Sequence, residues 1–347
     1  MDRQLCTKQI TAGITTYVVR AFANIAFIKY WGRVDHNLFL PANSSISMTV
    51  SGCATTASAS FPSESDADIL IMRSSSGETT VLSPEDRKSC ALYAHIKRIR
   101  DASGRTGFVT VEAANNFPSD AGLASSASSF CAITGALLLA FGLRDVFDDK
   151  RELSRYVRLA GSGSAVRSVY GGFVQWNKGN SCETSVAEQL KNEYHWDLVD
   201  LIAIVETKKK KYSSSYGHEI ADTSPFFTQR ISRISDRLGM VRHAILEKDF
   251  TLLGELIEAD SHCMHTVMRT SKPSLNYWND GTQEVMREVQ KLRNKGVEAY
   301  FTIDAGANVH VLCQLQDALS VHEAIQKLDH VSSVIINKAA KGVQILS

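Results

Sequence analysis

In YFTIDAGANVHV (300–311), Asp304 ends an apolar strand and is followed by Ala-Gly-Ala. A carboxylate on a tight loop at a strand end is placed to act as a base, and equally to cap its own turn through an Asx bond. A second set lies in FANIAFIKYWGRVDHNLFLPANSSIS (22–47), where Lys29, Tyr30, Trp31 and Arg33 put two cations and two aromatics within five residues. One reading is a surface turn with scattered cations. But Asn24, Pro41, Asn43, Ser44 and Ser45 share the segment, and so many polar loop residues point beyond packing. In LAGSGSAVRSVYGGFVQW (159–176), Ser162-Gly163-Ser164 suggests a backbone-lined anion site opening a helix. Arg167, one turn on, offers a planar fork suited to carboxylate or phosphate, although a glycine-rich connection with a surface arginine reads the same way. KKKKYSSSYGHE (208–219) is either a solvated lysine run or an attractor for a polyanion, with Ser213, Ser214 and Ser215 as further phosphate contacts.

The fifth set is NNFPSDAGLASSASSF (115–130), in which every residue from Ala121 to Ser129 except Leu123 is Gly, Ala or Ser. Small residues let the first turns of a helix lie close to another backbone with no ligand involved. They also suit an anion cradle: the first N–H groups of a helix lack internal partners, and its dipole favours negative charge there. Gly122 lets a phosphate approach the backbone, and Ser125 and Ser126 add hydroxyls for phosphate or Mg²⁺. No Lys follows the glycine, so this is not the G-x-x-x-x-G-K-[ST] loop.

Strands are predicted at 15–22, 45–52, 67–74, 107–114, 171–177 and 197–207 from β-branched and aliphatic runs. Helical patterns cover 83–103 (opened by Ser83-Pro84-Glu85-Asp86), a segment starting near Gly122, 150–160, 163–169, 224–247, 250–270 and 280–296. A hairpin over 296–314, a helix over 318–329 and strands at 332–339 and 342–347 complete the chain. The stretch 178–196 has no clear period and is the expected domain junction. At 347 residues the chain exceeds what one compact core usually holds, so two domains are expected, in an α+β arrangement.

Lys plus Arg is 38 against 37 Asp plus Glu, which argues against a general nucleic-acid binder. Seven cysteines, none spaced C-x-x-C, read as reduced thiols. The start has no apolar signal core and the longest apolar run, near 131–142, is too short for a bilayer, so a cytoplasmic protein without a membrane partner is expected. His262 and His265 in DSHCMH (260–265) share a helix face, but no second ligand cluster accompanies them, and no metal site is assigned to the protein's own side chains.

Together, ANIAFIKYWGR (23–33), LPANSSIS (40–47), NNFPSDAGLASSAS (115–128), GSGSAVRSVYGGFVQW (161–176), KKKKYSSSYG (208–217), EKDF (247–250), YWND (277–280) and FTIDAGANV (301–309) resemble one family in order and spacing. It is the mevalonate diphosphate decarboxylases of the GHMP small-molecule kinase superfamily. The resemblance implies a two-domain GHMP-kinase-like fold: an N-terminal ribosomal-protein-S5-like α/β domain over 1–190, a C-terminal ferredoxin-like α/β domain over 191–347, and a cleft between. It implies that ATP, with Mg²⁺, phosphorylates the 3-hydroxyl of 5-diphosphomevalonate, after which phosphate and CO₂ leave to give isopentenyl diphosphate. Asp304 matches the catalytic aspartate, with Lys29 and Arg167 as the cations beside it. Tyr30, Trp31, Gly32, Arg33, Arg87, Ser162, Gly163, Ser164, Ala165, Val166, Arg167 and Ser215 match substrate-binding positions. Gly122, Leu123, Ser125 and Ser126 match the ATP cradle, and a homodimer is implied.

This chain departs from the family pattern in places. Arg33 replaces a usual Lys, Val166 a usual Cys, and His218 a common Met, and the segment around His218 is one residue short. Arg33 and His218 bear on whether a 5-monophosphate or a 5-diphosphate is taken. A 3-kinase that stops before decarboxylation is disfavoured because relatives of that kind lack the Lys29 and Asp304 equivalents. An RNA-binding role is disfavoured by the near-zero net charge and the lack of basic–aromatic interleaving.

Overall fold

A computed structural model of the chain describes residues 16–86, 89–117, 125–207 and 211–347, with Ser125 described in its backbone only. Two sheets organise the chain. In the first, β1 (Tyr17–Ile28) pairs antiparallel with β4 (Ser45–Ser60), the long central strand. The far half of β4 pairs with β7 (Thr110–Asn115), and β5 (Ile69–Arg73) and β6 (Thr79–Leu82) extend that edge. The near half of β4 pairs with β8 (Phe173–Trp176), which carries β9 (Ala187–Lys191). A short ribbon of β2 (Arg33–Asp35) and β3 (Leu40–Pro41) stands between β1 and β4 in sequence.

Helices α1 (Cys90–Ser103), α2 (Ser125–Ala140), α3 (Arg144–Asp148) and α4 (Lys150–Leu159) pack under this sheet. Leu92, Ile96 and Ile99 of α1 and Leu137 and Leu138 of α2 meet Val19, Ala21, Ala57 and Val111 there. The α2 approach is tight: a Cβ on Gly135 would lie 3.0 Å from Val19. Ser128 and Ser129 hydrogen-bond Thr55 of β4. The small residues from Ser126 to Gly135 thus serve close helix–sheet packing as well as any ligand.

The second sheet runs β11 (Ala299–Thr302), β12 (Val309–Gln314), β10 (Leu198–Ile204) and β13 (Ser333–Lys338), antiparallel throughout. Side chains alternate across β10, as strand geometry requires. Val199, Leu201 and Ala203 face α8 (Asp280–Asn294) and α9 (Ala318–Gln326). Leu198, Ile202 and Ile204 face a cluster shared with β1, β4, α6 (Phe227–Glu247) and α7 (Phe250–Thr270). That cluster draws on both halves of the chain: Ile25 and Phe27 meet Ile245, Leu253 and Ile257. The chain end also crosses over, because β14 (Gln344–Ile345) pairs with β1.

Most predicted elements are present. The helix expected from Ser83 begins at Cys90 instead; Ser83 opens a separate turn, accepting from the Asp86 and Glu85 N–H groups. The segment expected at 163–169 is a 3₁₀ turn over Ser164–Val169. The aperiodic stretch 178–196 contains β9. The short α5 (Ser214–Glu219) lies inside the polar run 208–219, where six residues leave too little length for a helical period to show. Among the described residues no helix is long and apolar enough to cross a membrane.

Candidate active site

β1 delivers Lys29 one residue beyond its end, and the second sheet delivers Asp304 two residues beyond β11. Their side chains meet: Lys29 Nζ donates to Asp304 Oδ1 at 2.6 Å. The lysine side chain is 2% exposed and the aspartate 26%, so the carboxylate is the open end of the pair. Burial opposes ionisation of Asp304, but the charge and hydrogen bond of Lys29, with His310 and Arg167 adding, outweigh it and hold the carboxyl below its ordinary value. Burial likewise pulls the Lys29 ammonium below its ordinary value, with Asp304 and Asp260 opposing.

Arg167 lies on the 3₁₀ turn after Ser162-Gly163-Ser164 and is buried. Its Nε donates to Asn24 Oδ1 at 3.2 Å and its Nη1 to Ser45 Oγ at 2.6 Å. Asn24 in turn donates to the Ser164 carbonyl (3.1 Å) and to Ser168 Oγ (2.9 Å), tying the turn to β1. Arg167 is fixed by neutral partners, and burial brings its pKa down to about 10, with Asp304 and Tyr30 opposing. Among the described residues no carboxylate bonds this guanidinium, so an incoming anion meets a cation held in place by neutral partners.

Tyr30 and Trp31 follow Lys29 and are both buried. The Tyr30 hydroxyl accepts from Arg33 Nε at 2.7 Å, and its ring stacks on His218 at 4.1 Å. Trp31 lies 4.6 Å from the His218 ring. Gly32, at φ +90°, donates its N–H to His218 Nδ1 at 3.0 Å, so that nitrogen is the unprotonated one. A Cβ on Gly217 would meet Trp31 at 2.4 Å, so glycine is what lets α5 seat on the indole. Gly163 packs in the same manner: a Cβ there would lie 2.6 Å from Trp176 and 2.7 Å from Tyr30.

The serine-rich segments, far apart in sequence, are neighbours in space. Ser162 Oγ donates to Ser126 Oγ at 3.3 Å and lies 3.2 Å from Ser164 Oγ. Ser126 is exposed, at the opening of α2. Ser215 is exposed on α5, and Ser213 caps that helix by accepting from the Tyr216 N–H at 3.1 Å. Ala165 and Val166, expected at the substrate, are instead fully buried as whole residues in apolar clusters, because the turn packs them against its neighbours. Arg87, Gly122, Leu123 and the Ser125 side chain lie outside the described residues. His265 is buried with Nε2 3.2 Å from the Ile303 carbonyl, and its ring and that of His262 pack on Trp278. Among the described residues no group of three His, Cys, Asp or Glu gathers for a metal.

Sequence reasoning passed over two buried polar groups beside this centre. Asp260 of α7 and Arg230 of α6 form an ion pair with both side chains 0% exposed, and both touch the Lys29 backbone. His310 of β12, one of the groups that lower the Asp304 carboxyl's pKa, bonds Asp200 at 3.0 Å, and Asn337 donates to the same carboxylate at 3.2 Å. The available signal was a charge inside an apolar stripe: Leu253, Leu256, Ile257, Asp260 and Met264 fall on one helical face.

Two sheets flanked by helices, with serine-rich turns and a Lys–Asp pair where the halves meet, define a two-domain α/β protein of the GHMP-kinase fold. Residues 21–187 match the diphosphomevalonate decarboxylase-like N-terminal domain, and 200–344 the mevalonate 5-diphosphate decarboxylase C-terminal domain. A diphosphomevalonate decarboxylase of Candida albicans is 36% identical over 305 residues, 84% of this chain and 82% of that one. The mevalonate diphosphate decarboxylase of Staphylococcus aureus superposes with a TM-score of 0.87 at 33% identity, covering 96% of this chain and 98% of its own. A solved complex of MDDEF gives 0.87 at 34%, covering 96% and 100%. The chain belongs to the diphosphomevalonate decarboxylase family.

Proposed function

We propose that the chain catalyses the ATP-dependent decarboxylation of 5-diphosphomevalonate to isopentenyl diphosphate, with release of ADP, phosphate and CO₂. The observation that carries this is the Lys29–Asp304 pair, 2.6 Å long, open to solvent on its carboxylate side and accompanied by the buried Arg167, which bonds no carboxylate among the described residues. The MDDEF complex contains MVAPP, AMPPCP and magnesium, which supports the same substrate pair here.

The chemistry needs two stages. A tertiary hydroxide is a poor leaving group, so the 3-hydroxyl oxygen first takes the terminal phosphoryl of ATP. The C3–O bond then breaks with its electrons leaving on phosphate, and the electrons of the bond to the carboxyl carbon form the alkene as CO₂ departs. Asp304 is ionised at neutral pH by the cations around it, and it is assigned to orient the 3-hydroxyl and receive its proton. Lys29 holds that carboxylate in place and balances its charge. Arg167 is assigned to the substrate carboxylate or the transferred phosphate, where a preorganised cation favours developing negative charge. Tyr30, Trp31, Gly32, Arg33, Ser162, Gly163, Ser164 and Ser215 are assigned to the substrate. The Ser126 hydroxyl, beside Ser162, suits a nucleotide's phosphates. Mg²⁺ held mainly through phosphates and water needs few protein ligands, which fits the donors present.

The test is incubation with Mg-ATP and carboxyl-labelled 5-diphosphomevalonate or its 5-monophosphate. Labelled CO₂ with ADP from the diphosphate supports the proposal. Preference for the monophosphate would reassign the substrate, and ADP without CO₂ would make the enzyme a 3-kinase. A cytoplasmic homodimer and a division into 1–190 and 191–347 belong to the same proposal. The division is supported by family boundaries at 187 and 200; sedimentation measures the dimer.

A further inference from the structure

The pairing of β1 with β4 ends at Ile28, so no sheet ladder supplies the main-chain groups of Lys29. They are supplied by side chains. The Lys29 N–H donates to Asp260 Oδ2 at 2.8 Å. The Lys29 carbonyl accepts from Arg230 Nη2 at 3.0 Å and from Asn43 Nδ2 at 3.0 Å. Asp260 and Arg230 also grip each other twice, Nη1 to Oδ1 at 2.9 Å and Nη2 to Oδ2 at 3.0 Å. One bidentate ion pair, drawn from α6 and α7, therefore closes around both polar groups of a single residue of β1's extension.

Its energetics argue against a purely stabilising role. Taking two charges out of water costs about as much as their attraction returns, and apolar replacements are often as stable. What a planar fork on a carboxylate does supply is direction, because it fixes position and rotation together. The residue so fixed is the one whose ammonium reaches Asp304 at 2.6 Å. We infer that Asp260 and Arg230 are positioning residues for the reaction, holding the Lys29 main chain so that its ammonium meets Asp304. The inference rests on the function proposed above for that pair. Arg237 donates to Asp260 Oδ1 at 3.3 Å but, among the described residues, makes no hydrogen bond to Lys29, which makes it the control.

Arg230→Lys keeps the charge but cannot make the two-pronged contact and also reach the Lys29 carbonyl. With folding confirmed by a cooperative melt, it is expected to lower kcat by about 10- to 100-fold with both KM values within about threefold, as loss of reactive geometry does. NMR titration of ¹³C-labelled lysine, with the Lys29 signal assigned by its loss in Lys29→Met, is expected to move in Arg230→Lys and to stay put in Arg237→Gln. A folded Arg230→Lys enzyme with kcat within about twofold of the parent overturns the inference, whatever its melting temperature. So does an equal fall in Arg237→Gln, which would mean general loosening. Should Arg230→Lys not fold, Asp260→Asn, which keeps the side-chain outline, is read by the same criteria; should neither fold, Arg237→Gln decides, a moved Lys29 signal overturning the inference and an unmoved one supporting it. If the parent releases no CO₂, the functional proposal fails separately, and the Lys29 titration alone decides the clamp: movement supports it and none overturns it.

Discussion

The Asp304 and Asp260 carboxylates both bind Lys29, one through its ammonium and the other through its amide N–H, and they differ in what else they touch. Asp260 is sealed at 0% exposure, and its oxygens are taken by Arg230, Arg237 and the Lys29 amide. Asp304 is 26% exposed and has one bonded oxygen among the described residues. A saturated carboxylate has no acceptor capacity left for a substrate, whereas a half-engaged one has. Two ion pairs of similar length thus offer a substrate different openings, and the difference follows from remaining valence and access, not from charge.

The largest effect should come from the open pair. Asp304→Ala is expected to cut kcat by about 10³-fold while isothermal calorimetry still registers ATP binding, since positioned acid–base groups contribute about 10²–10⁴. Near-normal turnover would erase the contrast. The sealed pair should answer in stability as well as in turnover. Asp260→Ala leaves a buried guanidinium without its carboxylate and is expected to cost about 3–5 kcal/mol in urea unfolding. Arg237→Gln sharpens the point, because it removes only a long outer contact and should cost about 1 kcal/mol or less by the same measurement.

The smallest signal is a pH dependence. Asp304 has a folded-state pKa below its unfolded value, so its contribution to stability is present above the unfolded value and lost as pH falls through the folded one. The melting-temperature gap between the parent and Asp304→Asn should be flat from about pH 5 to 7 and shrink below about pH 4. A gap that widens in acid would contradict the assigned direction.

The residues that meet at the centre were legible one by one. Lys29 stood out in an aromatic-rich loop, Arg167 after a Ser-Gly-Ser turn, and Asp304 at a strand end. Asp260 was not, because an acidic residue in a long helix reads as surface until its face is known. Nor was the start of α1, where Ser83-Pro84-Glu85-Asp86 has the composition of a helix opening but forms a separate turn before Cys90. Local composition signals a polar turn and a helix N-terminus in the same way.

Sequence alone determined the candidate groups and most of the strands and helices that carry them, because residue chemistry and apolar periodicity act over a few positions. It took the folded chain to decide that Lys29 and Asp304, 275 positions apart, share a hydrogen bond, and that two helices close an ion pair around the lysine's backbone. Hydrogen bonds act over about 3 Å, and no local pattern records which distant segments packing will bring within that range.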